Sequence, residues 1–161
     1  MANGFHFPLF VDLHGKTVVV VGGGAIACRR IRALGEFGAH VVVIAPRWDE
    51  PLAGMTHLAR PYAPGDLAGA FLAVAATDDR QVNRAVGEEA RALGIPVSVA
   101  DRREECTFFF PALCTGAGLV AGVVSAGADH KQTARGAKAI REVLTQMEES
   151  HADDPNRDQG E

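Results

Sequence analysis

Five stretches of the chain are runs of branched or small apolar residues with few polar positions among them: 17–21, 40–45, 71–76, 96–100 and 118–124. A run without alternation suits a strand covered on both faces, as in a parallel sheet. Between these runs, segments 25–37 and 79–93 have a helical pattern. Strand–helix–strand alternation of this kind predicts an α/β fold, with helices on both faces of a parallel sheet.

The punctuation agrees. Gly38 and Gly94 follow the two helical segments and can take the left-handed position that ends a helix. Thr77 or Asp78 can cap the second helix. Segment 47–69 is rich in Pro and Gly, and a short strand near 56–60 and a brief turn of helix are expected there. After residue 124 the character changes. A small-residue loop precedes a helix predicted over 131–149, on which Ala137, Ile140, Leu144 and Met147 make an apolar stripe. No strand follows that helix. Packing against a partner helix, and so a homodimer, and folding back on the chain's own sheet are both open from periodicity alone.

Composition narrows the class. Apolar residues make up 47% of 161 residues, which fits a folded domain with a sizeable core. No apolar run reaches the length of a membrane span. Residues 1–8 lack the basic stretch and apolar core of a secretory signal, so the cytoplasm is the expected location. Cys28, Cys106 and Cys114 form no Cys-x-x-Cys pair and argue against a disulfide framework. The histidines lack metal-ligand spacing, and no metal site is assigned. The net charge of −4 comes from the end of the chain, where six acids from Glu148 onward face Arg157 alone. The remainder is nearly neutral, which disfavours a nucleic-acid surface.

The strongest local signal is Val18-Val-Val-Val-Gly22-Gly23-Gly24-Ala25-Ile26-Ala27. It is a Gly-x-Gly-x-x-Ala loop directly between a strand and a helix. Gly22 permits the tight turn, Gly24 lets backbone approach a pyrophosphate, and Ala27 allows close packing of helix on strand. The helix N-terminus offers free N–H groups to the phosphates. The sheet is therefore expected to be Rossmann-like, with NAD as cofactor. At the end of the second strand, Ala45 and Pro46 are expected beside the cofactor. No acid stands at that tip, and Arg47 leaves a 2′-phosphate possible. Two later strand ends are polar. In Ala75-Ala76-Thr77-Asp78, small residues allow a cofactor close to the backbone. In Val97-Ser-Val-Ala-Asp101, the carboxylate can accept a proton as general base or bind its own backbone in a turn, and spacing alone leaves both open.

These pieces, read in order, resemble the precorrin-2 dehydrogenase family, which includes the amino-terminal part of siroheme synthases. The resemblance begins at Phe7-Pro-Leu-Phe10 and runs through Val21-Gly-Gly-Gly-Ala-Ile-Ala-Cys-Arg-Arg30, then Ala75-Ala-Thr-Asp-Asp79 with Val82-Asn83. It continues through Val97-Ser-Val-Ala-Asp101, Phe110-Pro-Ala-Leu113 and Val124-Ser-Ala-Gly127 to Ala134-Arg135 and Ile140-Arg-Glu142.

The resemblance implies a nucleotide-binding domain over 1–114, a dimerisation region over 115–149 and an acidic tail over 150–161. It implies oxidation of the tetrapyrrole precorrin-2 to sirohydrochlorin with reduction of NAD. Asp101 takes the place of the family's essential acid, and Ser125, Gly127, His130 and Arg135 fall beside its tetrapyrrole cleft. Basic residues for a carboxylate-rich substrate are at hand in Arg29, Arg30, Arg102, Arg103, Lys131 and Arg135. The chain departs from the family where its loop usually ends in Ser-Pro and here reads His130-Lys131. Some members also insert ferrous iron, so a bifunctional enzyme is one alternative. A non-catalytic NAD(H)-sensing module is another.

Overall fold

The computed structural model describes residues 6–127 and 129–152. The chain divides into two compact units, one spanning Phe10–Phe109 and the other built from Phe110 onward with the segment before Phe10. The first contains β1 (Thr17–Val21), α1 (Ala25–Glu36), β2 (His40–Ile44), β3 (Thr56–Leu58), β4 (Leu72–Ala75), α2 (Arg80–Ala92) and β5 (Val97–Val99). A single 3-10 turn, Arg103–Glu105, follows. The five strands form one parallel sheet in the order β3-β2-β1-β4-β5. This is the expected α/β, Rossmann-like architecture.

The valine runs explain the layering. Side chains alternate across a strand, so Val19 and Val21 join Val86 and Ala90 of α2 in one core, while Val18 and Val20 are buried on the opposite face. Helix α1 packs on β1 and β2, and α2 on β4 and β5. Each fully buried valine contributes about 1.5–3 kcal/mol relative to exposure. The chain leaves β1 toward one side of the sheet and β4 continues on the other. The crevice between their carboxyl ends is the switch point where such sheets bind ligands.

Two local expectations are corrected here. The cap of α2 is Asp79, not Thr77 or Asp78: its Oδ1 accepts from the N–H groups of Gln81 at 2.8 Å and Val82 at 3.3 Å. The Thr77 hydroxyl instead ties the turn by accepting from the Asp79 N–H at 3.1 Å. The brief helix expected within 47–69 is a run of successive tight turns between Ala63 and Ala70. Gly65 at φ +98° and Gly69 at φ +78° interrupt helical propagation.

The second unit corrects a larger one. Segment 118–124 is not a strand buried in the parallel sheet. It is β7 (Leu119–Val123), paired antiparallel with β6 (Ala112–Gly116) and only half-covered. A two-residue turn joins them, with Ala117 at φ +50° and Gly118 at φ +73°, the left-handed pair that matches strand twist. Helix α3 (His130–Ala152) lies on this hairpin: Ala137, Leu144, Ile140 and Met147 pack against Cys114, Ala112, Ala121 and Val123. The apolar stripe therefore covers a hairpin that precedes it in the chain. Arg141 donates to the Leu113 carbonyl at 2.7 Å, and Glu148 accepts from the Ala117 N–H at 2.5 Å. Strand β6 crosses residue 114, where the sequence reading ended its first domain. Of the acidic tail, residues 153–161 lie outside the described residues.

Candidate functional site

The glycine loop is built by three different constraints. Gly22 sits at φ +122°, and a Cβ there would lie 2.3 Å from the Ala76 carbonyl oxygen. A Cβ on Gly23 would lie 2.1 Å from the Arg47 carbonyl oxygen. Neither position admits a side chain, because the loops after β4 and β2 press directly on the loop after β1. Gly24 differs: its φ of −81° suits any residue, and a Cβ there would meet nothing within 4 Å. The fold itself has no use for glycine at that position. It is the N-cap of α1, and no side chain caps the helix. Gly24, Ala25 and Ile26 are exposed while Ala27 is buried against the sheet. An open, uncapped helix N-terminus with a bare backbone at its entrance fits a pyrophosphate.

The ends of β2 and β4 flank this loop. Ala45 is buried and its carbonyl oxygen lies 2.9 Å from His57 Nε2, where it can only accept, while Pro46 is exposed. Beyond them lies an acid that sequence reading missed. The Asp49 N–H donates to the Gly23 carbonyl at 2.9 Å, which brings the residue back onto the glycine loop. Its carboxylate holds Arg47 through Nε at 2.8 Å. Nothing in the spacing forecast this, since Asp49 stands five residues past the strand and returns only through the turn at Pro46. Trp48, between them, is buried with its ring edge-on to His57 at 5.6 Å.

After β4, Ala76 is buried, Thr77 half-buried and Asp78 exposed. Thr77 is locked by Asn83, a fully buried residue on α2. Asn83 Oδ1 accepts from the Thr77 N–H at 3.0 Å and its hydroxyl at 2.8 Å. Its Nδ2 donates to the Thr77 carbonyl at 3.0 Å and to Asp101 Oδ1 at 3.1 Å. Asp101, just past β5, thus hangs from the same amide that fixes the β4 loop. Its side chain remains 36% exposed. Arg80, opening α2, places Nη1 3.6 Å from Asp101 Oδ1 and pairs through Nη2 with Glu105 Oε1. A sequence clue to Asn83 existed: it falls on the buried face of α2 with Val86, Gly87 and Ala90. A polar residue on such a face must satisfy buried partners. Arg80 and Glu105 carried no such clue.

The basic candidates separate. Arg30 donates to the Ser98 hydroxyl at 3.3 Å, and burial pushes its guanidinium below the ordinary arginine value. Arg103 stacks over Phe109 at 4.4 Å. Ser125 and Gly127 follow β7, His130 begins α3 and Arg135 is an exposed residue of its second turn, all in the second unit. Asp129 caps α3 by accepting from the N–H groups of Lys131 at 2.9 Å and Gln132 at 3.0 Å.

Residues 9–112 match the family described as "Putative NAD(P)-binding". The chain belongs to this NAD(P)-binding family. The "Probable multifunctional siroheme biosynthesis protein HemA" of Ruminiclostridium josui is 42% identical over 144 residues, covering 85% of this chain and 28% of that protein. The siroheme synthase of Stutzerimonas stutzeri is 44% identical over 128 residues, covering 76% of this chain and 28% of that protein. The chain therefore spans under a third of these curated relatives. A solved structure of "SirC, precorrin-2 dehydrogenase" superposes with a TM-score of 0.74 at 25% identity, over 91% of this chain and 76% of that one.

Proposed function

We propose that this NAD(P)-binding chain is an NAD-dependent dehydrogenase that oxidises precorrin-2 to sirohydrochlorin in siroheme synthesis. The observation that carries the reading is the Asp101–Asn83–Thr77 connection, which ties a half-exposed carboxylate to the loop facing Gly22. NAD, when bound, would supply the hydride acceptor for the substrate carbon. Asp101 accepts the proton released from the macrocycle, so that precorrin-2 and NAD+ give sirohydrochlorin, NADH and a proton. Gly24, Ala25 and Ile26 hold the pyrophosphate with their backbone, and Ala45, Pro46, Ala76, Thr77 and Asp78 line the ribose and nicotinamide side. Asp49 supports NAD over NADP, because an acid beside the glycine loop accepts ribose hydroxyls and repels a 2′-phosphate.

Ser125, Gly127, His130 and Arg135 are proposed for the carboxylate-rich tetrapyrrole, with Arg135 pairing to a side-chain carboxylate. The proposed organisation is a cofactor domain over 1–114, a dimerisation region over 115–149 and the tail beyond. A homodimer would cover the exposed Leu119, Val120 and Val143, and sedimentation equilibrium tests it. No helix among the described residues is long and apolar enough to cross a membrane, and a cytoplasmic location is proposed. The activity test is anaerobic turnover of precorrin-2 with NAD, beside Asp101→Ala. NADH and sirohydrochlorin formation lost in the variant supports the reading, and NAD binding without any turnover by the parent overturns it.

A further inference from the structure

Asn83 and Arg80 both approach Asp101 Oδ1, at 3.1 Å and 3.6 Å. They stand three residues apart on the first turn of α2, a spacing that puts two side chains on one face. Arg80 is itself anchored. Its Nη2 pairs with Glu105 Oε1, and the Glu105 carbonyl accepts from Arg91 Nη1 at 2.9 Å, so the 3-10 turn carrying Glu105 is tied to α2 twice. Arg80 Nη1 is buried and makes no hydrogen bond. At 3.6 Å, Asp101 Oδ1 lies just beyond hydrogen-bond reach of it. A buried guanidinium N–H without an acceptor is costly, and Asp101 Oδ1 is a carboxylate oxygen within 4 Å of it.

We propose that Arg80 is a positioning residue for Asp101, with Glu105 as its anchor. The planar fork spans two carboxylates, as a guanidinium can and an ammonium cannot. Its charge beside Oδ1, together with the Asn83 hydrogen bond, limits where the Asp101 carboxylate can sit. The inference rests on Asp101 being the base of the proposed dehydrogenase.

The experiment uses the full chain with precorrin-2 and NAD, comparing Arg80→Gln, Arg80→Lys, Glu105→Gln, their Gln–Gln combination and Asp101→Asn. Arg80→Gln is expected to lower kcat about tenfold to a hundredfold, with the NADH dissociation constant unchanged. Arg80→Lys recovers part of the loss. Glu105→Gln gives a loss like that of Arg80→Gln, and the combined variant loses no more than the worse single one. The side-chain amide resonances of Asn83, followed by 15N NMR without substrate, shift in Arg80→Gln because Asp101 moves. Full kcat in Arg80→Gln beside an inactive Asp101→Asn overturns the positioning role and leaves the dehydrogenase reading standing. Full activity in Asp101→Asn overturns both. Should Arg80→Gln fail to fold, Glu105→Gln with undiminished kcat is the overturning result.

Discussion

The three consecutive glycines are expected to respond differently to the same change, alanine. At Gly22 the new Cβ would lie 2.3 Å from the Ala76 carbonyl oxygen in a residue held at φ +122°. Real carbon–oxygen contacts do not approach so closely, so the β4 loop must shift as well as the residue itself. Backbone strain of this kind costs about 1–3 kcal/mol, and displacing a packed loop brings the total to about 3 kcal/mol or more. At Gly23 the overlap is with the Arg47 carbonyl at 2.1 Å, and the expected loss is similar. Each kilocalorie lowers Tm by about 2–4 °C in a domain of this size, so both variants should melt about 10 °C early. Gly24→Ala meets no atom and needs no unusual φ. A poorer N-cap costs about 0.5–1 kcal/mol, and a stiffer unfolded chain returns about as much. Its Tm should be nearly that of the parent. Its methyl group, however, enters the approach to the α1 N-terminus, and NADH binding should weaken about tenfold, about 1.4 kcal/mol. Calorimetry reads the first quantity. The second is read by quenching of the protein's one tryptophan, Trp48, whose Cα would lie 2.8 Å from a Cβ on Gly23. A Gly24→Ala protein that binds NADH as tightly as the parent would refute the assignment of that position to the cofactor. So would a Gly22→Ala protein of unchanged Tm refute the steric argument.

Other outcomes follow from single side chains. Tyr62 is held protonated above its ordinary value of about 10 by burial, by its hydrogen bond to Glu89 and by the nearby Glu89 and Asp66 charges. The folded state binds this proton more tightly than the unfolded chain, so its stability is complete below about pH 10 and declines as pH rises further. In urea titrations at alkaline pH, Tyr62→Phe should flatten that decline, and parallel curves for the two proteins would contradict the assignment. Asp49→Asn removes the acid on the glycine loop and frees Arg47 from its pair. The ratio of NADPH to NADH dissociation constants should fall about tenfold. An unchanged ratio would place cofactor discrimination elsewhere.

What could be read in the sequence was what local pattern controls. The apolar runs located four of the five strands of the parallel sheet, β1, β2, β4 and β5, because burial on both faces leaves no room for polar alternation, while the short edge strand β3 was expected only as a brief strand within the Pro- and Gly-rich segment. The glycine loop announced its own geometry, since Gly22 needs a φ that other residues avoid. Segment 118–124 misled for a physical reason: an apolar hairpin strand covered by one helix has the same residues as a strand inside a sheet. Its partner, β6, carries Cys114, Thr115 and Gly116 and reads as a weak run. The stripe on α3 was legible, but its cover was not, because a helix pattern does not say whether its partner precedes it or belongs to another chain. The polar groups around Asp101 were least legible. Arg80, Asn83 and Glu105 are spread over 26 positions, and only the crossing of α2 beside β5 brings them together.

These groups and the glycine loop are mechanically one assembly. The Ala76–Thr77 peptide that excludes a Cβ from Gly22 is the same peptide whose N–H is held by Asn83, and Asn83 holds Asp101. The links from Gly22 to Asn83 are buried or half-buried, so a displacement at one end is passed on by contact and hydrogen bonding and is little absorbed by solvent before it reaches the more exposed Asp101. The proposed cofactor binding at the loop after β1 and the proposed proton transfer at the end of β5 would therefore be positioned by a common element, the turn after β4. A change at Gly22 should cost turnover beyond its effect on cofactor affinity, because it moves the acid along with the loop. A change at Gly24, which touches no neighbouring side chain or loop, should leave the acid in place and alter affinity alone.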